Sequence, residues 1–212
     1  MFNRMLNIAK IKTNLQFNNS KSSKNMKEFL QQNNLIEITA NEGFILDIRY
    51  ATANNVCGEK LYDFAMCFLH QEAYEKLKKA QQIATDMGYK IKIFDAFRPI
   101  AVQQKMFDYF NKPEFYGFVS DPKTGLVSHC RGVAVDLTLC YQNGQELDMN
   151  SYFDDFSSNA SHFCQNISLQ AKQNRLILLG IMTLAGFDFY RQEWWHYQLF
   201  NARSYQVIEN FF

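Results

Sequence analysis

A chain of 212 residues with 47% hydrophobic and 16% aromatic content can bury one sizeable core. Its net charge of +1 argues against nucleic acid or another general polyanion as partner. No apolar run approaches the roughly 18 residues of a membrane span. The five cysteines include no Cys-x-x-Cys pair, so they indicate neither a zinc ribbon nor a full disulfide framework.

Residues 1–27 carry Arg4, Lys10, Lys12, Lys21, Lys24 and Lys27 without an acidic residue. They read as a basic, poorly ordered extension ahead of a domain over 28–212. No apolar signal core of about 7–15 residues is present. With scattered thiols expected to be reduced, this points to the cytoplasm. Export or an organelle is the alternative if the basic segment is a targeting peptide. From Leu35 to Ile48 the chain is strand-like, broken at Asn41-Glu42-Gly43. Tyr50-Ala51-Thr52 then opens a polar loop ending at Gly58. Between Phe64 and Met87 the spacing of Leu69, Ala73, Leu77, Ala80, Ala84 and Met87 predicts a helix, stopped by Gly88, with His70 as a surface or capping residue.

Lys90 to Phe94 reads as a strand running into Asp95-Ala96-Phe97-Arg98-Pro99. Arg98 therefore stands at the end of a core strand, a common position for a functional charge. A helix from Pro99 to about Phe110 follows, then a loop over Asn111–Val127 that leads into a motif. In Ser128–Leu139 the alternation of a strand puts Val133, Val135, Leu137 and Leu139 on one face and Ala134, Asp136 and Thr138 on the other. His129 can reach the space of Asp136 across the bend at Gly132. Tyr141–Gln145 reads as a hairpin turn, Phe153-Asp154-Asp155-Phe156 as a polar loop, and Asn174–Ala185 as a helix with Leu176, Leu179, Met182 and Thr183 inward. Glu193-Trp194-Trp195-His196 comes last. Two histidines, an aspartate and a spare glutamate are the parts of a catalytic zinc site, with three ligands, an open position and a general base. Strands among helices, with a hairpin beside the site, predict an α+β single domain with a mainly antiparallel sheet, flanking helices and zinc at the sheet.

Tyr50-Ala51-Thr52, Asn55, Gly58, Asp95–Pro99, His129-x-x-Gly132-x-Ala134-x-Asp136-Leu137-Thr138 and Glu193–His196 resemble, in that order, the D-alanyl-D-alanine dipeptidases of the vancomycin-resistance type, zinc peptidases of the D,D-carboxypeptidase group. The resemblance runs from about Ile36 to Tyr197. It implies one Zn²⁺ per chain on His129, Asp136 and His196, Glu193 as general base, Arg98 at the oxyanion, and a small dipeptide, D-alanyl-D-alanine, as substrate. The wider group has serine two residues before its first histidine. Here Val127 stands there and the hydroxyl is Ser128, which joins Tyr50 and Asp154 as candidate substrate contacts. By the same resemblance, Asp154, with Asp155 as the alternative, would meet the substrate's amino end. The alternatives are a D,D- or L,D-carboxypeptidase acting on peptidoglycan stem peptides, and a non-catalytic zinc module that binds peptides.

Overall fold

Short strands alternate with helices along the chain. The structure, a computed structural model, describes residues 24–112, 115 and 118–209, so most of the basic segment lies outside the described residues. The chain divides into two units, Met1–Leu35 and Ile36–Phe212. In the first, a helix α1 covers 24–32.

Strand β1 (Leu35–Glu37) leads into the second unit, where a 3₁₀ turn at Ala40–Glu42 ends on Gly43 in the left-handed region (φ 89°). This is the break foreseen at Asn41-Glu42-Gly43. The following elements are β2 (Ile45–Leu46), β3 (Phe68–His70), α2 (Gln71–Asp86), β4 (Lys90–Asp95), α3 (Ile100–Phe110), β5 (Ala134–Cys140), α4 (Leu169–Ala185), β6 (Asp188–Phe189) and β7 (His196–Gln198). His70 caps α2, its Nδ1 accepting from the Glu72 amide at 3.3 Å. Leu69, expected on this helix, belongs to β3, and Met87 is half exposed just past the helix end.

Five strands form one sheet in the order β2-β4-β5-β7-β6. The β2–β4 pair is parallel and the other three pairs are antiparallel. The expected α+β fold with a mainly antiparallel sheet is what forms. β5 lies at its centre, and all seven of its residues are buried. Val133, Val135, Leu137 and Leu139 join the same core as Ala73, Leu77, Ala80 and Ala84 of α2 and Leu178, Ile181, Met182 and Ala185 of α4.

The helix α4 departs from expectation in two ways. It begins earlier, at Leu169, where the Ser168 hydroxyl accepts from the Ala171 amide and satisfies one of the free donors of the first turn. Its inward face is also rotated: Leu176 is 66% exposed and Thr183 faces solvent, while Asn174 and Arg175 are buried. Met182 is buried as expected, and the inward face runs through Ala171, Leu178, Ile181 and Ala185, with Arg175 buried beside it.

Candidate active site

Register across three strands sets the site. Asp136 of β5 pairs opposite His196 of β7, and on its other side opposite Asp95 at the end of β4, where a bulge lies between Ile93 and Asp95. His129 precedes the strand, beyond the bend at Gly132 as expected. It sits in a 3₁₀ turn, Ser128–Arg131, entered through Val127 (φ 43°) and left through Gly132 (φ 67°), both left-handed. Such a backbone is costly for a β-branched valine, and residues of this kind gather at functional sites. The turn carries the His129 ring back over Asp136.

Three atoms then converge. His129 Nε2 lies 3.2 Å from His196 Nδ1 and 3.2 Å from Asp136 Oδ1, and His196 Nδ1 lies 3.0 Å from the same oxygen. The protons of both rings are engaged elsewhere: His129 Nδ1–H donates to the Ala96 carbonyl at 2.7 Å, and His196 Nε2–H donates to Gln198 Oε1 at 3.2 Å. Each ring therefore turns a lone pair inward, toward a carboxylate oxygen. Three acceptors without a proton to share repel one another, and a cation removes the conflict. Their spacing agrees with the edge of a tetrahedron around an ion bound at about 2.0–2.1 Å, which is about 3.3 Å. These residues fit a metal ion, and all three are buried. Burial works against the Asp136 charge, yet when protons occupy that space in place of a cation, charged His129 and His196 hold its carboxyl well below the usual range.

The Glu193 carboxylate stands beside the triad, Oε2 lying 3.9 Å from His196 Nδ1. Burial pushes its carboxyl up to about 7; His196 and Arg98 pull it down and Asp136 adds to the rise. Its side chain is still 16% exposed, and the residue lines the cavity. The open surface thus faces a confined space, which is why the shift survives.

Arg98 is held by Asp95, whose Oδ2 accepts from Nε at 3.0 Å and Nη2 at 2.8 Å, while Asp95 Oδ1 accepts from the Tyr62 hydroxyl at 2.6 Å. Nη1 donates to Gln103 Oε1 at 3.0 Å. Nη2 also lies 3.7 Å from Asp136 Oδ2, so the guanidinium lines the cavity between Asp95 and the triad. The ring of Tyr50 lies 5.0 Å from the guanidinium carbon, and its hydroxyl donates to Asp154 Oδ2 at 2.7 Å. Burial raises the Asp154 carboxyl well above its ordinary value, with Asp136 and Glu193 adding to the rise against the Tyr50 bond and Arg98.

All eight residues singled out in the sequence line one cavity of about 280 Å³: Tyr50, Arg98, Ser128, His129, Asp136, Asp154, Glu193 and His196. Ser128 contributes a buried hydroxyl, and Val127 lines the same space. Cys130, next to His129, is buried away from ligand duty, its thiol pushed up to about 12 by burial. Sequence reasoning missed Gln103, Gln198, Tyr62 and Arg175. Gln198 had a usable signal, since it lies two residues past His196 on one strand and shares its face. Arg175 had none. Its guanidinium donates to the carbonyls of Met149 (2.9 Å from Nε), Asn159 (2.7 Å) and Ser161 (2.8 Å), clamping both ends of the segment that carries Asp154.

Comparison with known proteins agrees with this geometry. Residues 33–212 match the peptidase M15 family, described as D-ala-D-ala dipeptidase. A D-alanyl-D-alanine dipeptidase of Escherichia coli K12 is 35% identical over 167 residues, which is 79% of this chain and 84% of that protein. One from Enterococcus faecium is 32% identical, covering 72% of this chain and 84% of its own length. One from Enterococcus faecalis is 30% identical, with 78% and 90% covered. A match over nearly the whole second unit, together with a triad built for a metal, means that this chain belongs to the M15 family of D-Ala-D-Ala dipeptidases.

Proposed function

We propose that this chain is a zinc-dependent dipeptidase that hydrolyses D-alanyl-D-alanine to two molecules of D-alanine. One observation carries the reading: three inward-facing acceptors and a separate carboxyl near neutrality share a cavity of about 280 Å³, a space on the scale of a dipeptide. The names of the E. coli and enterococcal relatives support the substrate. His129, Asp136 and His196 would hold one zinc ion per chain. A zinc ion held there would supply Lewis acidity, for the scissile carbonyl and for a water near neutral pH.

The chain's own groups do the rest. Glu193 takes the proton of the attacking water on a carboxylate oxygen and hands it to the leaving nitrogen, its burial raising the carboxyl above its ordinary value and so favouring proton uptake. Arg98, fixed at the cavity by Asp95 and Gln103, places its charge beside the oxygen that turns negative, where a fixed donor gains most in the transition state. Asp154, steadied by Tyr50, receives the substrate's amino end, and Ser128 lies within the same wall. Cytoplasmic location is part of this proposal. It is supported by five free cysteines, and among the described residues no helix is long and apolar enough to cross a membrane.

Release of D-alanine from the free dipeptide, compared with release from a pentapeptide stem, tests the reading. Turnover of the dipeptide with the pentapeptide left intact is the expected result. Preference for the pentapeptide would make the enzyme a carboxypeptidase instead.

A further inference from the structure

We infer that Gln103 is a positioning residue, fixing the plane of the Arg98 guanidinium and tying it to the segment that leads into His129. The inference rests on the dipeptidase reading for its effect on turnover. Gln103 lies on α3, five residues after Arg98, and is only 3% exposed although fully polar. A buried carboxamide must satisfy both of its ends. Oε1 accepts from Arg98 Nη1 at 3.0 Å, and Nε2 donates to the Ser120 carbonyl at 2.8 Å. Only one orientation of the amide allows this. Reversed, it would set N–H groups against the guanidinium and an oxygen against the carbonyl.

Asp95 grips the Nε and Nη2 side of Arg98 through a single oxygen, with Asp136 Oδ2 3.7 Å from Nη2 and the Tyr50 ring 5.0 Å from the guanidinium carbon. The bond from Nη1 to Gln103 adds a second fixed point on the other arm. The guanidinium edge that lines the cavity then keeps one direction. Because the same amide holds Ser120, the segment over the cavity and the guanidinium are set together. Misplacement of a charge by a fraction of an ångström weakens the transition state while barely touching ground-state binding.

Gln103→Met keeps the length and removes both bonds. Its kcat should fall about 10- to 100-fold, with KM moving by less than about threefold. In an Arg98→Ala background the same substitution should change kcat by less than about twofold, since residues acting through one another are not additive. A structural contribution alone would instead lower the melting temperature equally in both backgrounds and leave kcat alone. Gln103→Glu retains an acceptor for Arg98 and loses the donor to Ser120; its kcat should exceed that of Gln103→Met. A substrate-free readout is nitrogen-15 NMR of the Arg98 side chain: slow rotation of the guanidinium in the wild type, faster in Gln103→Met. Unchanged rotation and unchanged kcat overturn the inference, as does an equal kcat loss in the Arg98→Ala background. If the wild type leaves D-alanyl-D-alanine intact, the dipeptidase reading fails by itself, and the NMR comparison still decides the role of Gln103.

Discussion

The two walls of the cavity are built in different ways. One wall is built on the sheet: the Asp136–His196 register sets two of the metal-binding atoms through strand pairing, and the Ala96 carbonyl at the end of β4 orients the third, on His129 in its 3₁₀ turn. The other is loop: the Asp154 segment is held by Arg175 from α4, and the segment before His129 by Gln103 from α3. The sheet wall needs few supporting side chains because strand pairing already fixes distances. The loop wall depends on buried polar side chains that reach backbone carbonyls from elsewhere. Damage to a loop anchor should therefore alter substrate handling while sparing the metal, and damage to the sheet wall should remove both.

The largest effect is expected on the sheet side. His129→Ala should lose metal and more than about 10³-fold of the activity together, because the ion supplies both the nucleophile and the polarised carbonyl. Elemental analysis of the folded variant checks it, and full occupancy would break the ligand assignment. Glu193→Gln should separate the two functions of that wall. The metal stays bound, and kcat falls by roughly 10²–10⁴, the range for a general acid–base group. If this variant arrives folded but metal-free, Glu193 is a ligand.

The same contrast explains what could be read from the sequence. A strand writes its face into alternate residues, so β5 and its aspartate were legible, as were the glycine at the bend and the pair Glu193 and His196 next to the sheet. The placement of His129 in a 3₁₀ turn was not, because Val127 adopts a left-handed backbone that its residue type disfavours. Loop anchors leave still less trace. Arg175 binds carbonyls, which every residue carries, so no partner type marks it in the sequence. Residues 1–23 lie outside the described structure, and their basic character stays a sequence observation.

Arg175→Met sharpens the comparison from the loop side. It strands the carbonyls of Met149, Asn159 and Ser161, and stability should drop by about 2–4 kcal/mol, less than the sum of the bonds because a buried charge is relieved as well. Metal content should remain full, while KM for the dipeptide rises about tenfold as the Asp154 segment loosens. Chemical denaturation, elemental analysis and steady-state kinetics on one preparation test all three statements. Metal loss equal to that of His129→Ala would erase the distinction between the walls.

A smaller, pH-dependent effect belongs to His162, at the end of the same loop. Burial, with Arg175 adding, pushes its imidazole down to about 4, and its Nε2 is buried without a partner. The lowered value means that the unfolded chain takes the proton first as pH falls. The stability carried by neutral His162 is present above about pH 6.5 and is lost as pH drops toward 4. The loss should be about 2 kcal/mol, discounted for the partial exposure of the ring. Denaturation at pH 7 and pH 4.5 should show His162→Phe losing less stability than the wild type over that interval. Equal losses would remove His162 from the acid response.

The central claim, that a zinc ion on His129, Asp136 and His196 drives hydrolysis of D-alanyl-D-alanine, is met most directly by titration of metal-stripped protein. Release of D-alanine should be absent after chelation and should return in proportion to added zinc, saturating at one ion per chain. Full turnover by the stripped protein, or an intact dipeptide at saturating zinc, would contradict it.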